Sequence, residues 1–248
     1  ALVAECKKCR DQVSPEPWAE VSKVLNDELG NRRSDIVSVN QIPIAAASIA
    51  QVHEAVLSNG SDVVIKIQRP GIRKKVINDL KVMAWVAPKL VGKIPVAALA
   101  NPPALVELFA ETICEELDFK LEVANLFEIK RVLYSNLKQE WEIPDPELEL
   151  VTERVIVMTK ISGVSLGDSI AMGIDSESSS VVFRQMVEGL LEGAVIHGIF
   201  HGDFHAGNVF LNETGKIGLV DFGITGRLDG TRRQAFLRYV VGLMTGDV

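Results

Sequence analysis

Cysteine is scarce in this sequence. Three residues, Cys6, Cys9 and Cys114, among 248 cannot build a disulfide framework, and the odd count fits a reduced compartment. Cys6-Lys-Lys-Cys9 has the spacing of half a zinc site, but no second pair follows. The two are read as neighbours on one helix face. Basic blocks are missing as well. Against 26 Lys and Arg stand 33 Asp and Glu, a net charge of −7, which argues against a nucleic-acid partner. No apolar run reaches the ~20 nearly uncharged residues of a bilayer span. Val82 to Phe109 comes nearest, and Lys89, Lys93, Asn101 and several prolines interrupt it. No signal peptide is visible. These absences point to a cytoplasmic protein. Both ends fall in mid-pattern, so peripheral membrane association is expected to depend on segments beyond Ala1 and Val248.

What is present is ample apolar material. At 47% hydrophobic residues, the chain can bury one large core or two smaller ones. Ala1 to Arg10 has a helical pattern, and Trp18 to Leu29 is an amphipathic helix stopped by Gly30. "AAASIAQVHEAVL", then "SNG", then "SDVVIKIQRPG" predicts strand, Asn-Gly turn, strand. Ile72 to Val91 is helical, Pro95 to Pro103 is a linker, and one long helix is expected from Ala104 to about Asn136. "LELVTERVIVMTKI" predicts two short strands. A helix then starts among Asp175 to Ser180 and runs through Ile196. A loop, a strand, a turn at Asn212 to Gly215 and another strand follow, with a closing helix over Thr231 to Met244. Strands cluster early and helices late. The expected fold is therefore α+β, with a small β-containing lobe and a mainly helical one divided near Ser162.

The chemistry concentrates in "HGDFHAGNVFLNETGKIGLVDFG", His201 to Gly223. His197, His201 and His205 recur at the four-residue spacing of zinc ligands on a helix. Gly198, Gly202 and Gly207 oppose a helix there, each costing ~1 kcal/mol relative to Ala. Phosphoryl transfer fits better. It needs a catalytic-loop carboxylate, an Asn five residues on and a second Asp followed by Phe-Gly at a strand end. Asp203, Asn208 and Asp221 have that order and spacing. Hard oxygen ligands of this kind hold a divalent cation against the charge on phosphate oxygens.

Such a site also needs a strand lysine for the α- and β-phosphates and a helix Glu to orient it. Lys66 interrupts the β-branched run "VVIKIQRP" in the manner of that lysine. Glu107, Glu111, Glu115, Glu116 and Glu122 are all candidates for its partner, and the pattern does not choose among them. No GxGxxG precedes Lys66. "PIAAASIAQVH", Pro43 to His53, occupies that place, although alanine takes positive φ less cheaply than glycine.

These residues resemble the UbiB-like atypical kinases, also called the aarF-domain or ADCK family. The likeness rests on "AAASIAQVH", "VVIKIQRPG", "EELDFKLEVANL", "HGDFHAGN" and "DFG", in that order, and runs from about Val13 to Met244. It implies a two-lobed, protein-kinase-like fold: a helical extension over 1–40, an N-lobe with inserted helices over 41–161, and an incomplete C-lobe over 162–248. It implies ATP and Mg²⁺ as cofactors. Lys66 becomes the nucleotide lysine and Glu122 its helix partner. Ala45, Ala46, Ala47 and Ser48 approach the phosphates, and the backbone of Met158, Thr159 and Ile161 meets adenine. Asp203 is the catalytic Asp, with Asn208 and Asp221 as metal ligands. Glu116 and Asp118 form the family's E-x-D pair, which in relatives engages a K-x-G-Q helix. That helix is absent from this sequence, and truncation is the expected reason. Thr159 departs from the acidic residue that relatives often carry.

Gly202 replaces the Arg of H-R-D, and no A-P-E follows Gly223, so no peptide-docking platform is evident. ATP hydrolysis or transfer to a small molecule or lipid is expected instead, linked through the family to isoprenoid-quinone or lipid metabolism. The alternatives are a phosphotransferase of the choline or aminoglycoside type and a non-catalytic nucleotide-binding scaffold.

Overall fold

The computed structural model describes residues 13–91, 101–135, 141–173, 176–212 and 216–246. The expected helix at Ala1–Arg10, Cys6, Cys9, most of the Pro95–Pro103 linker and the tip of the Asn212–Gly215 turn lie outside the described residues. The chain folds into two compact units. The first runs to Leu121 and includes Pro146–Lys160; the second comprises Glu122–Asp145 and Ile161 onward. The division that the resemblance implied assigned 41–161 to one lobe, but 122–145 packs with the second unit.

In the first unit, helix α1 (Trp18–Leu29) precedes an antiparallel sheet of β1 (Ile36–Val39), β2 (Ala45–Ala46), β3 (Ala50–Leu57), β4 (Asp62–Gln68) and a later strand, Val155–Thr159. The order is β1, β3, β4, Val155–Thr159, with β2 paired to β3. Alternation along the strands decides which face is covered. Ala55 and Leu57, Val63, Ile65 and Ile67, and Val155 and Val157 bury against Val21, Val24, Leu25 and Leu29 of α1. Each buried Val, Leu or Ile among them contributes roughly 1.5–3 kcal/mol by leaving water. Helix α2 (Ile72–Leu90) follows the Pro70-Gly71 break.

Two expectations fail here for local reasons. The single helix over 104–136 is two, α3 (Pro102–Glu116) and α4 (Phe119–Ser135). Gln68 Nε2 donates to Leu117 O at 2.8 Å and Phe119 N donates to Glu153 O at 3.0 Å, which ties down the junction. Asp118 Oδ1 then accepts Lys120 N at 3.0 Å, a helix cap that restarts the chain as α4. Likewise, the two strands expected in "LELVTERVIVMTKI" are one, with a 3-10 turn at Leu148–Leu150 before it. Thr152 Oγ1 accepts the amides of Arg154 and Val155 at 3.2 and 3.1 Å and ends the turn.

In the second unit, β5 (Trp141–Glu142) precedes β6 (Val155–Thr159, placed in the first unit's sheet). Then come β7 (Val164–Ser165), α5 (Leu166–Ala171), α6 (Ser176–Glu192), β8 (Ile199–His201), β9 (Val209–Leu211), β10 (Ile217–Leu219), β11 (Thr225–Arg227) and α7 (Gly230–Thr245). The strands form one small sheet, β5-β10-β9-β7, and one pair, β8-β11. Its core joins Leu126, Ile129 and Leu133 of α4 to Trp141, Val209, Ile217, Leu219 and Phe222. A single π-helical turn, Gly193–His197, ends α6, where a regular helix through Ile196 was expected.

Candidate active site

In the first unit, Lys66 lies on β4, in register with Val52 of β3 and Ile156 of β6. It points away from the α1 face, because its neighbours Ile65 and Ile67 are the core residues. Its Nζ sits 5.3 Å from the centre of the Phe119 ring, within cation–π range. The alanine-rich stretch is a tight strand and turn beside it. Ala45 and Ala46 pair with Val52 and Gln51, and Ala47 N donates to Ala50 O at 2.8 Å. Ala45, Ala47 and Ser48 are exposed. Met158 and Thr159 end β6, with Met158 buried opposite Val64. Glu116 closes α3 and Asp118 caps α4.

Ile161 opens the second unit, so the expected adenine-contacting segment coincides with the change of unit. Glu122 is buried in the first turn of α4. A buried carboxylate must be paired or neutral to be tolerated. The rest of the site is one continuous hairpin. Asn208 Nδ2 donates to Asp203 O at 3.1 Å and lies 3.4 Å from Asp203 Oδ2. Asn208 O accepts Val220 N at 3.0 Å, which places Asn208 across the hairpin from the residue before Asp221. Asp221 has φ of +62°. That left-handed conformation costs most side chains ~1–2 kcal/mol, and Asp and Asn are among the few that visit it. Its Oδ1 accepts Gly223 N at 3.4 Å.

His201 joins the two carboxylate loops. Its Nδ1 accepts Asp203 N at 3.1 Å, so the neutral ring carries its proton on Nε2. That Nε2 is buried and meets no partner of hydrogen-bonding geometry. The ring packs against Phe204 and Phe222, at 4.9 and 5.4 Å between centres. Burial lowers its pKa below 6.5 and outweighs Asp221, Val220 and Asp203, which favour the charged ring. Gly202 is held by packing: its N donates to Ile224 O at 2.9 Å, and a Cβ there would lie 2.6 Å from Ile224 Cγ2. His205 Nδ1 accepts Gly207 N at 3.0 Å, which leaves its Nε2–H 3.6 Å from Asp203 Oδ2. His197 instead lies 3.3 Å from Ser135 Oγ. The three histidines thus have separate tasks. Among the described residues, no group of three His, Cys, Asp or Glu forms a metal cluster.

Two contributors escaped the sequence reading. His201 was noticed only as a zinc candidate. Asn125, within "EVANL", donates to Phe222 O at 3.0 Å and accepts from Arg227 at 2.8 Å, and Arg227 also bonds Glu128 at 2.6 Å. An Asn inside a helix is a weak helix former and signals a side-chain partner.

A family model of the ABC1 atypical kinase-like domain matches residues 8–248. The chain belongs to this family. Its fold is accordingly the α+β, kinase-like one that the UbiB-like resemblance implied. Among ABC1 relatives, an uncharacterized protein of Mycobacterium tuberculosis is 34% identical over 98% of this chain and 50% of its own length. A protein of Vibrio cholerae named "Probable protein kinase UbiB" is 32% identical over 91% of this chain and 42% of its own. This ABC1 chain thus spans about half the length of the relatives it matches. Among solved structures, the M. tuberculosis protein Rv3197, determined with erythromycin, superposes with a TM-score of 0.71 at 29% identity. That match covers 92% of this chain and 56% of the other. No described helix is long and apolar enough to cross a membrane.

Proposed function

We propose that this domain is an ATP- and Mg²⁺-dependent atypical kinase or ATPase of the UbiB-like type. The observation that carries the reading is the Asp203–Asn208 bond, on a hairpin that returns directly to Asp221. The donor set suits a hard cation. Asn208 spends its amide nitrogen on Asp203, which leaves its carbonyl oxygen as the atom that would take a cation. Bound there, Mg²⁺ would neutralise charge on phosphate oxygens.

The chain's own groups do the rest. Asn208 and His205 both face Asp203 Oδ2, so Oδ1 is the oxygen left to take a proton from an acceptor hydroxyl or a water. Lys66 and the turn Ala45, Ala46, Ala47 and Ser48 hold the phosphates. Glu122 orients the lysine, and the backbone of Met158, Thr159 and Ile161 binds the base. Glu116 and Asp118 form a regulatory pair.

The link to isoprenoid-quinone or lipid metabolism, and the lipid-like substrate and membrane association that go with it, rest on the UbiB-like resemblance, with which a relative named "Probable protein kinase UbiB" agrees. A small-molecule phosphotransferase is the second reading, favoured by the relative solved with erythromycin, a molecule rich in hydroxyls. The test is ATP binding by the full-length protein with and without Mg²⁺, scored by thermal shift. At ~100-fold excess over Kd, a specific ligand adds ~2.7 kcal/mol. Wild type should gain further stability from Mg²⁺, and Asp221→Asn should not. Equal Mg²⁺ responses would remove the metal role of Asp221.

A further inference from the structure

The alanine-rich turn is anchored from behind by Arg69, a member of the "VVIKIQRPG" run that has been given no role so far. Arg69 ends the strand run that carries Lys66, and its side chain is only 8% exposed. Its side-chain contacts are short in distance and long-range in sequence. Nε donates to Ala47 O at 2.7 Å, Nη2 donates to Ser14 O at 2.9 Å, and Nη1 pairs with Glu16 Oε1 at 3.0 Å. Its backbone N also donates to Ile49 O at 2.8 Å. One guanidinium therefore grips the turn at Ala47 and the N-terminal segment at Ser14 and Glu16.

The chain of bonds continues through buried groups. Glu16 N donates to Gln51 Oε1 at 2.9 Å. Gln51 Nε2 donates to His53 Nε2 at 2.8 Å, and His53 Nδ1 donates to Asn40 O at 2.7 Å. Gln51 and His53 are fully buried, so these bonds have no water to replace them. Asn40 stands before the alanine-rich turn and Ala47 lies within it. Both points are thus fixed by one network whose middle is the Ser14–Glu16 segment.

We infer that Arg69 is the positioning residue of the alanine-rich turn, and that it couples the turn to Ser14–Glu16. The coupling makes a displacement of that N-terminal segment a displacement of the turn. Its consequence for ligand binding rests on the proposed role of the turn in holding phosphates. Lysine at position 69 would keep the charge for Glu16 but cannot span three acceptors in different directions.

The test is hydrogen exchange, resolved by segment, on the full-length protein as wild type, Arg69→Lys and Glu16→Gln. ATP affinity is measured in parallel. Arg69→Lys should speed exchange across residues 44–50 and 13–17 by about tenfold or more, while the central amides of β3, β4 and β6 keep their protection. Glu16→Gln touches no atom of the turn, yet it should speed exchange at 44–50 by a smaller factor. ATP affinity should fall in the same order. Unchanged exchange at 44–50 in Arg69→Lys overturns the positioning role. A faster turn in Arg69→Lys but not in Glu16→Gln overturns the coupling. Loss of protection throughout β3, β4 and β6 in both variants also counts against the inference, because Arg69 would then support the unit as a whole. If wild type binds no ATP, the nucleotide reading fails while the exchange result still decides the positioning role and the coupling.

Discussion

The two regions proposed to meet the nucleotide are held in opposite ways. The 201–223 hairpin holds itself: Asp203, His205, Asn208 and Asp221 are fixed by bonds between residues at most about twenty positions apart, with Asn125 as the chief outside support. The alanine-rich turn depends on distant partners, since Arg69 reaches it across 22 residues and reaches Ser14 across 55. Local closure costs little chain entropy and leaves a trace in spacing; long-range closure leaves almost none. Side chains of the hairpin can therefore be altered with little effect on folding, whereas the alanine-rich turn depends on contacts made far along the chain.

The largest effect expected along this divide is on turnover. Asp203→Asn should lower phosphoryl transfer or ATP hydrolysis by about 10²–10⁴-fold, the usual contribution of a positioned base. ATP affinity and melting temperature should stay near wild type, since the Asp203 side chain is 44% exposed. An equal collapse of stability would break the comparison. Next comes Ile65→Ala. Ile65 is fully buried beneath α1, and truncation should cost about 2–5 kcal/mol in chemical denaturation. A loss confined to the second unit's signals would contradict the separate cores.

The smallest effect is in pH. Burial lowers His53 below its ordinary value of 6.5, against the Asn40 carbonyl, which raises it. The unfolded chain then takes up the proton first. Stability from this group is complete above about 6.5 and is lost as pH falls through that value toward the lower folded one. Melting temperatures measured from pH 7.5 to 5.5 should fall less steeply in His53→Gln than in wild type. His201 contributes the same sign in the second unit and remains in that variant. Parallel slopes would show that burial does not hold His53 neutral.

Legibility in the sequence follows the same divide. The strand pair around Asn59-Gly60, the helix at Trp18–Leu29 and the closing helix near Thr231 were readable because periodicity and turn residues act locally. So was the hairpin, whose order of Asp203, Asn208 and Asp221 is itself the signal. The break at Leu117–Asp118 was not, because Gln68 and Glu153 impose it from 49 and 34 residues away. Nor was the job of Arg69, since a lone Arg before Pro-Gly has the look of a solvated strand end. The assignment of Glu122–Asp145 to the second unit also had no local mark. It follows from Leu126, Ile129 and Leu133 packing on Val209 and Leu219.

The backbone handedness at Asp221 limits which replacements there are informative. With φ at +62°, alanine would carry a steric penalty of its own, on the order of 1–2 kcal/mol, before any ligand is lost. Asparagine keeps the shape and tolerates the same turn, so it removes the charge alone. Glycine would relax the main chain while deleting the oxygen altogether. Comparing the three at this single position separates what the proposed cation would need from what the fold needs.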